Sequence, residues 1–207
     1  MKPKEDGKTS PLVLASRSPR RIQLLREAGF DFEVLAPDVD EAHEAGMRPG
    51  DLTELNARRK ALAAASQRPE AVVVGADTLV YLNDRPLGKP ETAEEAHAML
   101  RELSGRHHDV CTGVHIAWDG GRQGRGLHVL SKVRFKELSD VQVRAYHALV
   151  NPFDKAGAYG IQEHGEMIIE GHDGSWTNIM GLPMEVLSPL LRGCLDAIRC
   201  STKKAVP

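Results

Sequence analysis

Apolar residues along the chain fall into blocks whose spacing switches between the two-residue period of strands and the 3.6-residue period of helices. PLVLA (11–15) is an unbroken apolar run and reads as a buried strand. SPRRIQLLREAG (18–29) has Ile22, Leu24, Leu25 and Ala28 at helical spacing and closes on Gly29. DFEVLA (31–36) alternates as a second strand, and PGDLTELNARRKALAAASQ (49–67) predicts an alanine-rich helix with Asp51 or Thr53 as its cap. EAVVVGADTLVYLNDRPL (70–87) fits two strands or one bent strand equally well, with a turn at Asn83 and Asp84.

ETAEEAHAMLRELSG (91–105) is a helix marked by Thr92 as cap, acids in its first turn and Gly105 at its end. HHDVCTGVHIAW and GLHVLSKVRFKEL alternate on either side of DGGRQGRG and predict a long hairpin. A helix over 139–150, a glycine-rich loop from Asn151 to Gly165, a short strand MIIEG and a helix over 183–198 complete the chain. Strand and helix alternate first and hairpins dominate later, so the expectation is an α/β fold: a single domain with a mixed sheet flanked by helices over residues 11–199, between tails at 1–10 and 200–207.

Composition narrows the function. The chain has 27 basic and 29 acidic residues, well mixed, so no overall field exists to hold a nucleic acid polymer. An aromatic content of 4% is too low for base-stacking platforms. The first ten residues lack the apolar run of a signal peptide, and no stretch reaches the roughly 20 apolar residues of a membrane span, so a cytoplasmic protein without a membrane partner is expected. Cys111, Cys194 and Cys200 form no CxxC pair and no disulfide framework.

The candidate chemistry lies at the ends of the early elements. Ser16, Arg17 and Ser18 occupy a strand-to-helix turn, where free amides and the helix dipole favour an anion. Arg20 and Arg21, in the first helical turn, oppose that dipole unless an anion is present. An ordinary cap by Ser18, with solvated arginines, explains the pattern as well. Asp77 stands where a buried strand is expected to run out, beside Thr78. It is either a turn aspartate or a metal or water ligand. Asp38, Asp40, Glu41 and Glu44 form a second acidic group. Lys60 and Lys89 are surface charges if taken singly; with Arg20 and Arg21 they suffice to neutralise a triphosphate. Gln162 ends the small-residue run DKAGAYGIQ, and its amide complements O4 and N3–H of uracil or thymine, although a structural glutamine fits too. GGRQGRG precedes a strand and reads as a hairpin tip, and neither HExxH nor GxSxG occurs.

In order, LASRSPRR, VDE (39–41), ARRKA (57–61), GADT (75–78), GKP (88–90), LSGRHHDVCTGV (103–114), DKAGAYGIQ (154–162) and NIMGLP (178–183) resemble the Maf family of nucleoside triphosphate pyrophosphatases over about residues 11 to 192. The resemblance implies a fold similar to inosine triphosphate pyrophosphatases with an elongated sheet, a homodimer, and hydrolysis of a nucleoside triphosphate to monophosphate and pyrophosphate with a divalent cation, Mg²⁺ or Mn²⁺. It implies Asp77 as the base, and the family's second acid and its lysines fall on Glu41, Lys60 and Lys89; together with the reading of the residues, Glu41 and Asp77 are the expected metal ligands and Ser16, Arg20, Arg21, Lys60 and Lys89 the expected phosphate ligands. Arg20, Thr78 and Gln162 match the branch acting on dTTP and UTP, whereas the branch acting on 7-methyl-GTP tends to carry tryptophan, glutamine and glutamate there. The family name also admits a nucleotide-binding regulator of septum formation. Two departures bear on the pocket and on extension to CTP or modified pyrimidines: Trp176, where relatives often have tyrosine, and EHGEMIIEGHDG after Gln162.

Overall fold

A computed structural model describes residues 12–42 and 46–204, with side chains to Ile198. The expected N-terminal tail and Glu44 lie outside the described residues. The strands are β1 (Leu12–Leu14), β2 (Glu33–Val34), β3 (Val72–Leu82), β4 (Arg85–Leu87), β5 (His107–Trp118), β6 (Gln123–Phe135) and β7 (Ile169–Asp173). The helices are α1 (Pro19–Glu27), α2 (Pro49–Ala65), α3 (Ala93–Leu103), α4 (Asp140–His147), α5 (Trp176–Ile179) and α6 (Met184–Lys204).

All seven strands form one mixed sheet in the order β2-β1-β3-β5-β6-β7, with β4 on β3. β1 pairs in parallel with β2 and β3; the remaining pairs are antiparallel. The predicted α/β architecture with helices flanking a mixed sheet is therefore present.

Alternation along β1 and β3 divides the interior in two. Leu12, Leu14, Val72, Val74, Ala76 and Val80 enter the main core with side chains from α1, α3, α4 and α6. Val13, Ala15 and Val73 face the other way, onto Ala61, Ala64 and Ala65 of α2. Here α2 lies almost directly on the sheet. A Cβ at Gly75 would overlap the Ala57 carbonyl oxygen, and one at Gly113 would overlap the backbone of Thr53 and Glu54. The alanine-rich face of α2 and these two glycines are one device: small groups on both surfaces bring the helix backbone down onto β3 and β5.

Several elements differ from expectation. β3 is one continuous strand of 11 residues, so Asp77 lies within it, opposite Gly113 on β5, and not at its exit. Paired backbone on the β5 side sustains the strand through the acid. The strand expected over 31–36 contracts to Glu33–Val34. The N-cap of α2 is Arg48, without a side-chain cap. Asp51 instead pairs with the Arg48 side chain, and the Thr53 hydroxyl donates back to the carbonyl of Pro49. α3 does start as expected, with the Thr92 side chain accepting from the Glu95 amide. The Asn83–Asp84 turn between β3 and β4 has positive φ at both residues, the conformation a two-residue hairpin loop needs. α6 continues to Lys204, six residues beyond its expected end at 198.

Candidate functional site

The cleft follows from the unequal lengths of β1 and β3. The last rung between them is the Ala15 amide donating to the Val74 carbonyl at 2.8 Å. β4 covers the same edge of β3 only from Val80 onward. Between these two partners, the β3 edge opens into a cleft of about 1270 Å³, walled by the β1–α1 turn, the acidic loop before α2, and the loop from Asp154 to Gln162.

Asp77 is the buried acid of this cleft, 5% exposed. It shares the α2 side of β3 with Gly75, and α2 brings Asn56 and Lys60 to it from one helical face. Lys60 Nζ lies 2.8 Å from Asp77 Oδ1 and 2.7 Å from Glu41 Oε1. Asn56 Nδ2 donates to Asp77 Oδ2 at 3.3 Å, so both carboxylate oxygens are held. The same amide accepts from the Ala42 amide at 2.7 Å and donates to its carbonyl at 3.2 Å, which fixes the residue after Glu41. Sequence reasoning brought Glu41, Lys60 and Asp77 forward but missed Asn56. Its only sequence signal is a polar residue one turn before Lys60 on an otherwise small, apolar face.

Thr78 is adjacent to Asp77 and therefore projects from the opposite face of the sheet. Its hydroxyl contacts Thr112 Oγ1 at 2.9 Å and accepts from Arg21 at 2.9 Å. Arg21 also donates to the Gly181 carbonyl at 2.8 Å, Ser16 Oγ at 3.1 Å and the Ala76 carbonyl at 3.0 Å. Four of the five N–H groups of a guanidinium therefore go to protein atoms. Burial lowers the Arg21 pKa to about 10, against the stabilising charge of Asp77. Arg21 thus braces the cleft, with one N–H left over, rather than offering a free cation.

Ser16 Oγ accepts the Ser18 amide at 3.2 Å as well as Arg21. The Ser18 side chain does not cap α1, which removes the ordinary-cap explanation of this turn. Arg20 is not left opposing the helix dipole either. It donates to Asp154 Oδ2 at 2.9 Å and to the Asp154 carbonyl at 3.1 Å. Burial raises the Asp154 carboxyl, but Lys155 and Arg20 outweigh it and hold its pKa below the ordinary range. Asp154 and Lys155, the first two residues of DKAGAYGIQ, are site residues to which the sequence alone assigns no role.

Lys89 is exposed on the cleft wall and pairs with no acid among the described residues. Arg17, also exposed there, donates among the described residues only to the Ala36 carbonyl, at 3.4 Å. These two hold the cleft's least committed positive charges. Gln162 lines the cleft, and its Oε1 is buried without a hydrogen-bond partner. Trp176 is not part of the wall: it starts α5, about two-fifths exposed, with its ring edge-on to His172. Among the described residues, no three His, Cys, Asp or Glu side chains gather as a metal site.

This geometry is accompanied by a clear kinship. The sequence model of the family described as Maf-like protein matches residues 11–194, and the chain belongs to that family. A relative from Akkermansia muciniphila, named dTTP/UTP pyrophosphatase, is 48% identical over 183 residues, covering 88% of this chain and 96% of its own. Another of that name, from Myxococcus xanthus, is 47% identical over 173 residues, with coverages of 84% and 87%. Pelotomaculum thermopropionicum supplies a third, 42% identical over 181 residues, with coverages of 87% and 95%. Among solved structures, a HAM1 protein from Coxiella burnetii superposes with a TM-score of 0.44 at 20% identity, covering 60% of this chain and 72% of that one. No helix among the described residues is long and apolar enough to cross a membrane.

Proposed function

We propose that this protein hydrolyses dTTP and UTP to the monophosphate and pyrophosphate. The observation that carries the reading is the convergence of Glu41 and Asp77 on the Lys60 ammonium, inside a cleft that also presents Lys89 and the N-terminus of α1. The relatives' shared name supports the same substrate pair.

The two carboxylates, brought side by side by Lys60, supply hard oxygen donors to the cleft. That suits Mg²⁺ or Mn²⁺, which take one or two carboxylates and complete their shell with water and phosphate oxygens. Glu41 and Asp77 would hold the ion. When bound, it neutralises charge on the phosphoryl oxygens and on the departing pyrophosphate.

The protein's own groups do the rest. Asp77, oriented by Asn56 and Lys60, takes a proton from water as the water oxygen bonds to phosphorus and the α–β bridging P–O bond breaks. Lys60 has three N–H donors; it hydrogen-bonds Asp77 and pairs ionically with Glu41, which leaves an N–H for a phosphate oxygen. Lys89 and the free amides at the start of α1 meet the remaining phosphate charge. Gln162 offers its free carbonyl oxygen and an N–H to N3–H and O4 of the base.

The purified protein, given canonical nucleoside triphosphates with Mg²⁺ or Mn²⁺, should release pyrophosphate, most rapidly from dTTP and UTP. Release of orthophosphate alone rejects the reading.

A further inference from the structure

The segment EHGEMIIEGHDG after Gln162 departs from the family pattern, and its first residue is Glu163. We propose that Glu163, itself clamped by the buried Lys155, fixes which way round the Gln162 amide faces the cleft, and thereby sets discrimination between pyrimidines with O4 and N3–H and those with an N4 amino group. This rests on the reading above that Gln162 meets the base.

Gln162 Nε2 donates to Glu163 Oε1 at 2.9 Å. A carboxylate only accepts, so turning the amide over would set its oxygen against another acceptor. Ordinarily the two ends of a glutamine amide are hard to tell apart; here the neighbour's chemistry decides. Glu163 is in turn immobilised. Its Oε2 lies 3.0 Å from Lys155 Nζ, and Arg20 stands 3.9 Å from Oε1.

The Lys155 side chain is 3% exposed; it donates to Asp154 Oδ1 at 2.7 Å and to the Asn151 carbonyl at 2.8 Å, and its ammonium forms an ion pair with Glu163. These two hydrogen bonds hold the buried ammonium in place beside the carboxylate. The loop closes tightly around this pair: a Cβ at Gly160 would come within 2.9 Å of Lys155 Cε and 3.3 Å of Glu163 Oε1.

The result is an amide with its oxygen and its second N–H at fixed places. Uracil and thymine present a donor at N3 and an acceptor at O4. Cytosine presents the reverse, an acceptor at N3 and a donor at N4, so for a base held in the same place it needs the amide turned over. A clamped amide reads one pattern; a free one reads both.

The test compares kcat/KM for UTP and CTP in the wild type and in Glu163→Gln, whose neutral amide can donate or accept and therefore tolerates either orientation of Gln162. The wild type should favour UTP, and Glu163→Gln should shrink the UTP/CTP ratio by at least about tenfold, with CTP use rising. A purely structural role for Glu163 would lower both substrates together and leave the ratio unchanged; that result overturns the inference while leaving the assigned activity intact. Wild-type protein that releases pyrophosphate from no nucleoside triphosphate overturns the assigned activity itself and this inference with it. N3-methyl-UTP keeps the wild type informative even if Glu163→Gln does not fold. Rejection of both N3-methyl-UTP and CTP is expected, and use of CTP within about threefold of UTP overturns the clamp.

Discussion

Asn56 and Asp77, 21 residues apart in sequence, meet through a single hydrogen bond from the asparagine amide to the carboxylate oxygen that Lys60 does not hold. Because the same amide also grips the backbone of Ala42, one side chain ties the strand that bears one acid to the loop that bears the other. Replacing Asn56 by alanine should lower stability by about 1–3 kcal/mol, the usual cost of orphaned buried polar groups, and should also depress kcat. Urea unfolding alongside pyrophosphate release would check both; an unchanged kcat would limit Asn56 to a role in folding.

Asp77→Asn keeps the shape of the side chain but removes its ability to take a proton from water. Turnover should fall by about 10²- to 10⁴-fold, with an unchanged circular dichroism spectrum. Near-normal turnover in this variant would take Asp77 out of the chemistry.

Lys89 offers a contrast, because no acid among the described residues holds it. Lys89→Ala should leave stability within about 0.5 kcal/mol of the wild type and reduce kcat/KM for dTTP roughly 10- to 100-fold, the equivalent of one charge-assisted hydrogen bond. Thermal denaturation and steady-state kinetics on the same preparation separate the two effects.

His108 supplies a pH signature remote from the acids. It is buried, with Nε2 2.7 Å from the Tyr159 hydroxyl and Phe135 edge-on to its ring. Burial, reinforced by His107, pushes its pKa down to about 3, against about 6.5 for an exposed histidine. Between these values the unfolded chain binds the proton and the folded one does not. The histidine's contribution is therefore fully present above about pH 6.5 and is lost as pH falls toward 3, by about 1.4 kcal/mol per pH unit within that window. Unfolding free energies measured from pH 6 to 4 should fall less steeply for His108→Gln by about that slope. Parallel slopes in the two proteins would show that His108 is not held neutral.

The alternation of apolar residues was enough to place nearly every strand and helix, and the charges near their ends were enough to nominate Glu41, Lys60 and Asp77. Pairwise closure was not legible. Arg20 and Arg21 looked misplaced at a helix start because their partners are distant: Asp154 for Arg20, and the carbonyls of Ala76 and Gly181 for Arg21. Asn56 resembled any polar position on a helix until Gly75 and Gly113 brought α2 close enough for it to reach Asp77. Even the opposed directions of Asp77 and Thr78 follow from the strand period, but only once β3 is seen to continue through both residues.

The short reach of β1 leaves one edge of β3, between Val74 and Val80, without a neighbouring strand, and unpaired strand edges invite other chains to add there. Arg21 stands in for the missing strand by engaging the Ala76 carbonyl. A side chain thus guards a stretch of sheet that must stay open to small molecules yet closed to stray backbone, and losing it would expose the protein to self-association as well as loosen the cleft.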